Sequence, residues 1–215
     1  MPHDHHDDFA FEPVEGLPEL PPEGERILWQ GRPDWWRLAM ESLSLKWVMG
    51  YFVFLAAWRL VAAVDLMPLG RALAISSPFI VMGLGVCALL ALIAWVQARA
   101  TVYTITNRRV AMRVGAALTV TLNLPYTQIA NAKLDLRRKG GTGTIAFETL
   151  GETRLSYLVL WPHVRPWHFR TEPALRCIPD AEAVARLLAD SAEARLATPQ
   201  IARAAPAEAA AVAAE

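Results

Sequence analysis

Several things are scarce in this chain of 215 residues, and each scarcity excludes something. There are two cysteines, Cys87 and Cys177. Cys87 lies inside an apolar run and Cys177 far downstream, so no disulfide framework and no CxxC motif is expected. That usage suits a reducing compartment for the soluble part. Only 20% of residues are charged, below the roughly 25% of ordinary soluble domains. No Lys or Arg occurs before Arg26, and the acidic start has neither a basic n-region nor an apolar h-region, so no signal peptide is expected. No P-loop, GxSxG, HExxH or paired Cys/His zinc spacing occurs. Enzymatic activity is therefore not expected.

What is abundant is apolar surface, 54% of the residues, and it is concentrated in two runs. Residues 47–64 hold one charge, Arg59, and residues 73–96 hold none. A bilayer crossing needs about 20 apolar residues, with a range of roughly 17 to 25. Both runs meet this, and the second has no polar face to turn toward water. Two transmembrane helices are expected, joined by a turn containing Pro68 and Gly70. Ser77 and Pro78 read as N-cap and first residue of the second helix.

Basic residues set the orientation. Arg37 and Lys46 precede the first run, Arg99, Arg108 and Arg109 follow the second, and the turn has only Arg71. Both termini should be cytoplasmic, with the turn periplasmic. Trp35, Trp36, Trp47 and Trp95 fit an aromatic belt at the cytoplasmic interface; with Arg108 and Arg109 they are the membrane-surface candidates. Arg59 lies about 7 Å from the far end of its helix at 1.5 Å per residue. It can snorkel to the headgroups, or meet another membrane helix. Gly83, Cys87 and Ala91 form a small-residue stripe that allows close helix approach. Neither run contains His, the usual axial haem ligand. No cofactor is expected.

Net charge is zero, but the signs are segregated. The first 25 residues carry eight acidic side chains and no basic one. The stretch 99–139 is basic, with Arg99, Arg108, Arg109, Arg113, Lys133, Arg137, Arg138 and Lys139 against Asp135. It can sit on anionic lipid, hold an acidic partner such as its own N-terminal tail, or simply be solvated. No nucleic-acid partner is expected. His3, Asp4, His5, His6, Asp7 and Asp8 lie in a terminal segment where plain solvation outweighs metal binding, so no metal site is expected.

After Arg99 the pattern turns to period two. Strands are expected over 101–106, 109–114, 118–124, 131–137, 144–149, 154–160 and 174–178, with a turn at Asn107-Arg108 and another at Gly140, Gly141 and Gly143. Many short strands at regular spacing make a sandwich or small barrel. A capped amphipathic helix follows from Asp180, with Val184, Leu187, Leu188, Ala192 and Leu196 on one face. Residues 199–215 are Ala/Pro-rich and expected to be disordered.

Trp161-Pro162-His163-Val164-Arg165-Pro166-Trp167-His168-Phe169-Arg170 is the most unusual stretch. Its prolines exclude a central strand. Its tryptophans and arginines are what interfaces favour. Trp161, His163, Arg165 and Trp167, with Arg59, are the partner-binding candidates. The same aromatics could rest on the membrane or fold back onto the barrel. Catalysis is the least supported role, and no catalytic residue is assigned.

Tyr103-Thr104-Ile105-Thr106-Asn107-Arg108-Arg109-Val110 with Gly115, the segment Glu23 to Pro33, Leu124-Pro125 and Gln128-Ile129 resemble motifs of the bacterial membrane-anchored PH-like family. The resemblance implies an α+β membrane protein. Its parts are an acidic, partly extended segment 1–33, an interfacial segment 34–46, a two-helix transmembrane hairpin 47–96 and a cytoplasmic PH-like barrel or sandwich 97–198 closed by its C-terminal helix. The tail 199–215 follows. Asp8-Phe9-Ala10-Phe11-Glu12-Pro13, Gly16-Leu17-Pro18 and Pro33-Asp34-Trp35-Trp36 are similar to the PuhB family of reaction-centre assembly proteins in purple photosynthetic bacteria. That resemblance implies contact with reaction-centre and light-harvesting subunits, and self-association as a homodimer. A general PH-like protein of the lipid surface or of envelope stress is the rival reading.

Overall fold

Among the described residues, seven strands form two antiparallel sheets. The computed structural model describes residues 14–116, 118–137, 141–150, 155–166 and 170–197. The first sheet has the order β1-β2-β3-β4, with β1 Ile27–Gly31, β2 Val102–Thr106, β3 Arg109–Val114 and β4 Val120–Pro125. The second has the order β5-β6-β7, with β5 Ile129–Leu136, β6 Gly143–Thr149 and β7 Ala174–Ile178. Tyr103, Ile105, Met112, Ile145, Phe147, Leu175 and Ile178 fill the space between them. The Asp180 helix, α5 (Ala181–Ala197), closes the sandwich by inserting Val184 and Leu188. Leu196, expected on the same apolar face, is exposed.

The barrel is assembled from both sides of the hairpin. Strand β1, inside the acidic 1–33 segment, pairs antiparallel with β2, Trp29 opposite Ile105 and Gly31 opposite Tyr103. The boundary drawn at residue 97 leaves this strand out. Period two could not show it, because ILWQG is too short and ends in Gly. Between β1 and β2 the chain makes three helices: α1 (Trp35–Glu41), α2 (Leu45–Val64) and α3 (Leu69–Ala100).

Helices α2 and α3 are each long and apolar enough to cross a membrane. They pack closely because α3 presents a small face. A Cβ at Gly83 would stand 2.6 Å from Phe52 Cβ, and Cys87, Ala94 and Ala98 are buried. Gly83 of the expected stripe is therefore spent on the hairpin itself, while Cys87 lies with Ala39 and Leu45, where α1 joins the packing. At 32 residues against 20 for α2, α3 runs on past its partner, and α1 packs against the extra length. Asp34 caps α1 by accepting from the Arg37 amide at 2.8 Å. Leu38 meets Ala98 and Cys177, and Ala39 joins Leu45, Cys87 and Ala94.

Two local expectations are corrected. The second helix does not begin at Pro78: α3 starts at Leu69 and runs through the proline. Pro78 lacks the N–H that the Ala74 carbonyl needs, and the Ser77 hydroxyl donates to that carbonyl at 2.9 Å, so the helix continues. Residues 154–160 are not a strand. Residue 154 lies outside the described residues, and Tyr157–Leu160 form a short helix, α4. There the apolar residues serve no sheet face: Leu160 is buried while Leu158 is 85% exposed.

Candidate functional site

The sequence candidates converge on the junction where α3 meets the barrel. Strand β2 leaves α3 after Thr101, so Thr101 and Tyr103 enter the core one turn from the helix end. The segment before β7 brings His163 against them. The Thr101 hydroxyl donates to Gln97 O at 2.8 Å. His163 Nε2 lies 3.0 Å from Thr101 Oγ1, and Nδ1 lies 2.6 Å from the Tyr103 hydroxyl. The Arg176 amide donates to that same hydroxyl oxygen at 3.3 Å.

These contacts permit one consistent assignment. The Thr101 proton is used on Gln97, so Thr101 Oγ1 accepts from Nε2–H. Nδ1 then accepts from the Tyr103 O–H. The chain of bonds runs unbroken from β7 through Tyr103 and His163 to the last turn of α3. It requires a neutral imidazole. Burial, with the nearby Arg176 guanidinium adding to it, pushes His163 down to about 3, and burial pushes Tyr103 up.

His163 is therefore corrected as a partner-binding candidate. It is 1% exposed, and both ring nitrogens are occupied. The sequence showed a His between prolines, but not that the bend turns it inward.

Next to this chain of bonds lies a cluster of charge. Arg176 is buried in β7. Its Nη1 donates to Pro162 O at 3.2 Å, and its Nη2 is 3.6 Å from Glu41 Oε2. Glu41, the last residue of α1, also pairs with Arg137 just after β5. Arg165 pairs with Glu172 at 3.0 Å, and Lys133 with Glu148 at 3.2 Å. Glu41, Lys133, Asp135, Arg165 and Arg176 line a cavity of about 420 Å³. The cations there are matched by carboxylates, so the cavity has no unbalanced charge for a ligand. Among the described residues no cluster of metal-ligating side chains occurs. Cys177 lies beside these groups with its thiol pushed up by burial, which makes it inert.

The remaining candidates fall elsewhere. Trp161 is 38% exposed beside α4. Trp167 lies outside the described residues. Trp35 and Trp36 on α1, Trp47 on α2 and Trp95 on α3 are all exposed near the barrel end of the helices, and the Arg99 guanidinium stacks 5.1 Å from the Trp95 ring. Arg59 is exposed on α2, and among the described residues no acidic side chain pairs with it.

Arg108 and Arg109 are corrected as membrane-surface candidates. The β2–β3 turn sits at the far end of β2 from α3, so a five-residue strand separates them from the helices. They bind the N-terminal segment instead: Arg109 Nε meets Glu25 Oε1 at 2.9 Å, and Arg108 Nη2 donates to Glu23 O at 3.1 Å. Glu41 and Arg176 were not singled out in the sequence, and Tyr103 stood there only as part of the hairpin motif. The signal available was an arginine inside the otherwise apolar strand ALRCI, a charge that demands a buried partner.

With two sheets of four and three strands and a closing helix established, the comparisons become interpretable. The bacterial PH domain family model matches residues 51–192. The chain belongs to that family. In this bacterial PH domain the matched region takes in most of the apolar hairpin together with the strands that follow. A relative in Rhodobacter capsulatus, described as an uncharacterized 23.7 kDa protein in the puhA 5′ region, is 47% identical over 97% of this chain and 98% of its own length. No solved structure matches the chain.

Proposed function

We propose that this bacterial PH domain protein is a non-enzymatic assembly factor for the photosynthetic reaction centre and its light-harvesting ring, acting through protein–protein contacts. The observation that carries the reading is the full-length relative placed in the puhA 5′ region. It agrees with the resemblance of the Asp8–Pro13 and Pro33–Trp36 segments to the PuhB family. The junction adds support of a different kind. Thr101, Tyr103 and His163 are buried and bonded to one another, and Glu41 pairs with Arg137 and Arg176, which suits a rigid scaffold better than a catalytic centre.

In this reading α2 and α3 cross the bacterial inner (intracytoplasmic) membrane, with both termini and the barrel cytoplasmic. Exposed Trp161, half-buried Arg165, the lipid-facing Arg59 and Trp167, which lies outside the described residues, are the contact candidates for reaction-centre and light-harvesting subunits, and a homodimer remains compatible with the exposed hairpin faces. An Arg on a lipid-facing helix favours a polar partner, because intramembrane charges are costly alone.

Affinity purification of the full chain from solubilised photosynthetic membranes tests the proposal. Reaction-centre polypeptides should co-purify, and Arg59→Leu or Trp161→Ala should lower complex accumulation with the protein still folded. Recovery of lipid and self-contacts only would favour the rival reading, a general PH-like protein of the lipid surface.

A further inference from the structure

The connection between β3 and β4 comes back to the helix end of the barrel. Strand β2 begins at Val102, just past the end of α3 at Ala100. Strand β3 runs antiparallel to it, with Arg113 opposite Val102, and lies against α3. Val114 and Val120 make the last pair before the connection. The connection therefore continues past the start of β2, beside the final turns of α3. At about 1.5 Å per helical residue, Ala100 stands roughly 6 Å beyond Val96, where the apolar run stops. At about 3.3 Å per extended residue, the connection reaches back by a similar distance. That brings it to the level of Trp95 and Arg99, whose side chains stack on each other.

What the connection carries there is apolar and uncharged. Leu118 is 83% exposed, and Ala116 and Thr119 are exposed beside it. No charged residue occurs from Val114 to Ala132. Gly115 has φ +100°, and a Cβ on it would overlap the Leu118 carbonyl, so the backbone bends tightly at this point. A turn already fixed in shape loses little freedom on contact. A lone exposed leucine is ordinary on a protein surface. What singles out Leu118 is its place beside the end of a helix long enough to cross a bilayer. The exposed surface of α3 at the same end, Leu92, Trp95 and Val96, continues toward it.

We propose that the β3–β4 connection dips into the cytoplasmic leaflet, with Leu118 at the boundary between phospholipid headgroups and acyl chains. The proposal rests on the reading that α2 and α3 cross the membrane, and does not depend on which partner the protein serves. The occupant is phospholipid because the apolar tip continues the lipid-facing surface of α3. The barrel then has a hold on each sheet. Glu41 of α1 grips the second sheet through Arg137 and Arg176, and Leu118 seats the first sheet on the bilayer.

Site-directed fluorescence of the full chain in lipid nanodiscs tests this. A thiol-reactive fluorophore is placed on Leu118→Cys, and phospholipids carrying a nitroxide high on the acyl chain serve as quencher. The native cysteines are buried, and the wild-type chain taken through the same labelling gives the background. Leu92→Cys reports the membrane reading itself. Leu150→Cys, at the opposite end of the barrel where its amide bonds Gln128 O, is the exposed control. Emission at 118 should fall about twofold or more, because interfacial contacts lie roughly 5–10 Å deep. The label at 92 should be quenched as well, and the label at 150 should not. In an Ala116→Cys chain, adding Leu118→Asp should abolish quenching at 116 with the melting temperature unchanged. Quenching at 92 without quenching at 118 would overturn the seat and leave the membrane reading standing. Quenching at neither would overturn both. A label at 118 that lipid does not quench, but that becomes shielded from aqueous iodide as protein concentration rises, would assign the tip to a second copy and also overturn the proposal.

Discussion

The Tyr103 hydroxyl stands 2.6 Å from His163 Nδ1, deep in the barrel and one turn from the end of α3. This bond joins the first sheet to the segment before β7, and through Thr101 it reaches the hairpin. Tyr103→Phe removes the donor to Nδ1 and the acceptor for the Arg176 amide, leaving two buried polar groups unpaired. A loss of about 1–3 kcal/mol is expected. Denaturant unfolding in detergent would read it, and an unchanged midpoint would show that the bond is not formed.

His163 makes stability depend on pH. Its folded value, about 3, lies below the ordinary 6.5. Above pH 6.5 the ring is neutral in both states and contributes nothing. Between those values only the unfolded chain binds the proton, so stability falls as pH falls, by up to about 1.4 kcal/mol per unit. Melting wild type and His163→Gln from pH 7 to pH 4.5 isolates the effect from the carboxylates. The wild type should lose stability more steeply, and parallel curves would sink the assignment of a buried neutral ring.

Glu41 is a carboxylate shared by Arg137 and Arg176. Glu41→Gln keeps the shape and removes the charge, leaving the buried Arg176 guanidinium uncompensated. The expected cost is about 2–4 kcal/mol, with Arg137 contributing the smaller share because it is partly exposed. A double-mutant cycle with Arg137→Gln measures that share. A cost near zero would mean that α1 is not pinned to the barrel by this pair.

Gly83 and Gly85 sit two residues apart on α3 and should respond oppositely to alanine. At Gly83 the new Cβ meets Phe52 at 2.6 Å, while at Gly85 nothing lies within 4 Å. Gly83→Ala should loosen the hairpin, by about 1–3 kcal/mol. Gly85→Ala should be neutral or slightly stabilising, since alanine is the better helix former. Thermal stability in detergent decides, and equal effects would contradict the close approach of α2 and α3.

Much of the architecture was legible before any coordinates. The two apolar runs are helices α2 and α3, and the 109–114 and 174–178 strands appear with the expected bounds. Local signals suffice there, because run length and period are properties of neighbouring residues. The misread segment 154–160 shows the limit. Its alternation of apolar residues fits a strand, yet no free sheet edge receives it, and a short helix forms.

The partner and membrane candidates were less legible, for the same reason. Arg108 and Arg109 look like basic membrane flanks in the linear order, but the strand they end carries them away from the helices. His163 looks like part of an exposed loop, but the bend folds it onto Thr101 and Tyr103. The sequence by itself determined that the chain has two long apolar helices and a β domain closed by an amphipathic helix, since hydrophobic burial acts through composition and period. Only the tertiary structure decided that β1 crosses the hairpin to complete the barrel, that Glu41 gathers two arginines, and that His163 is neutral and inside. Those facts depend on residues far apart in the chain, and no periodicity records which distant groups will meet.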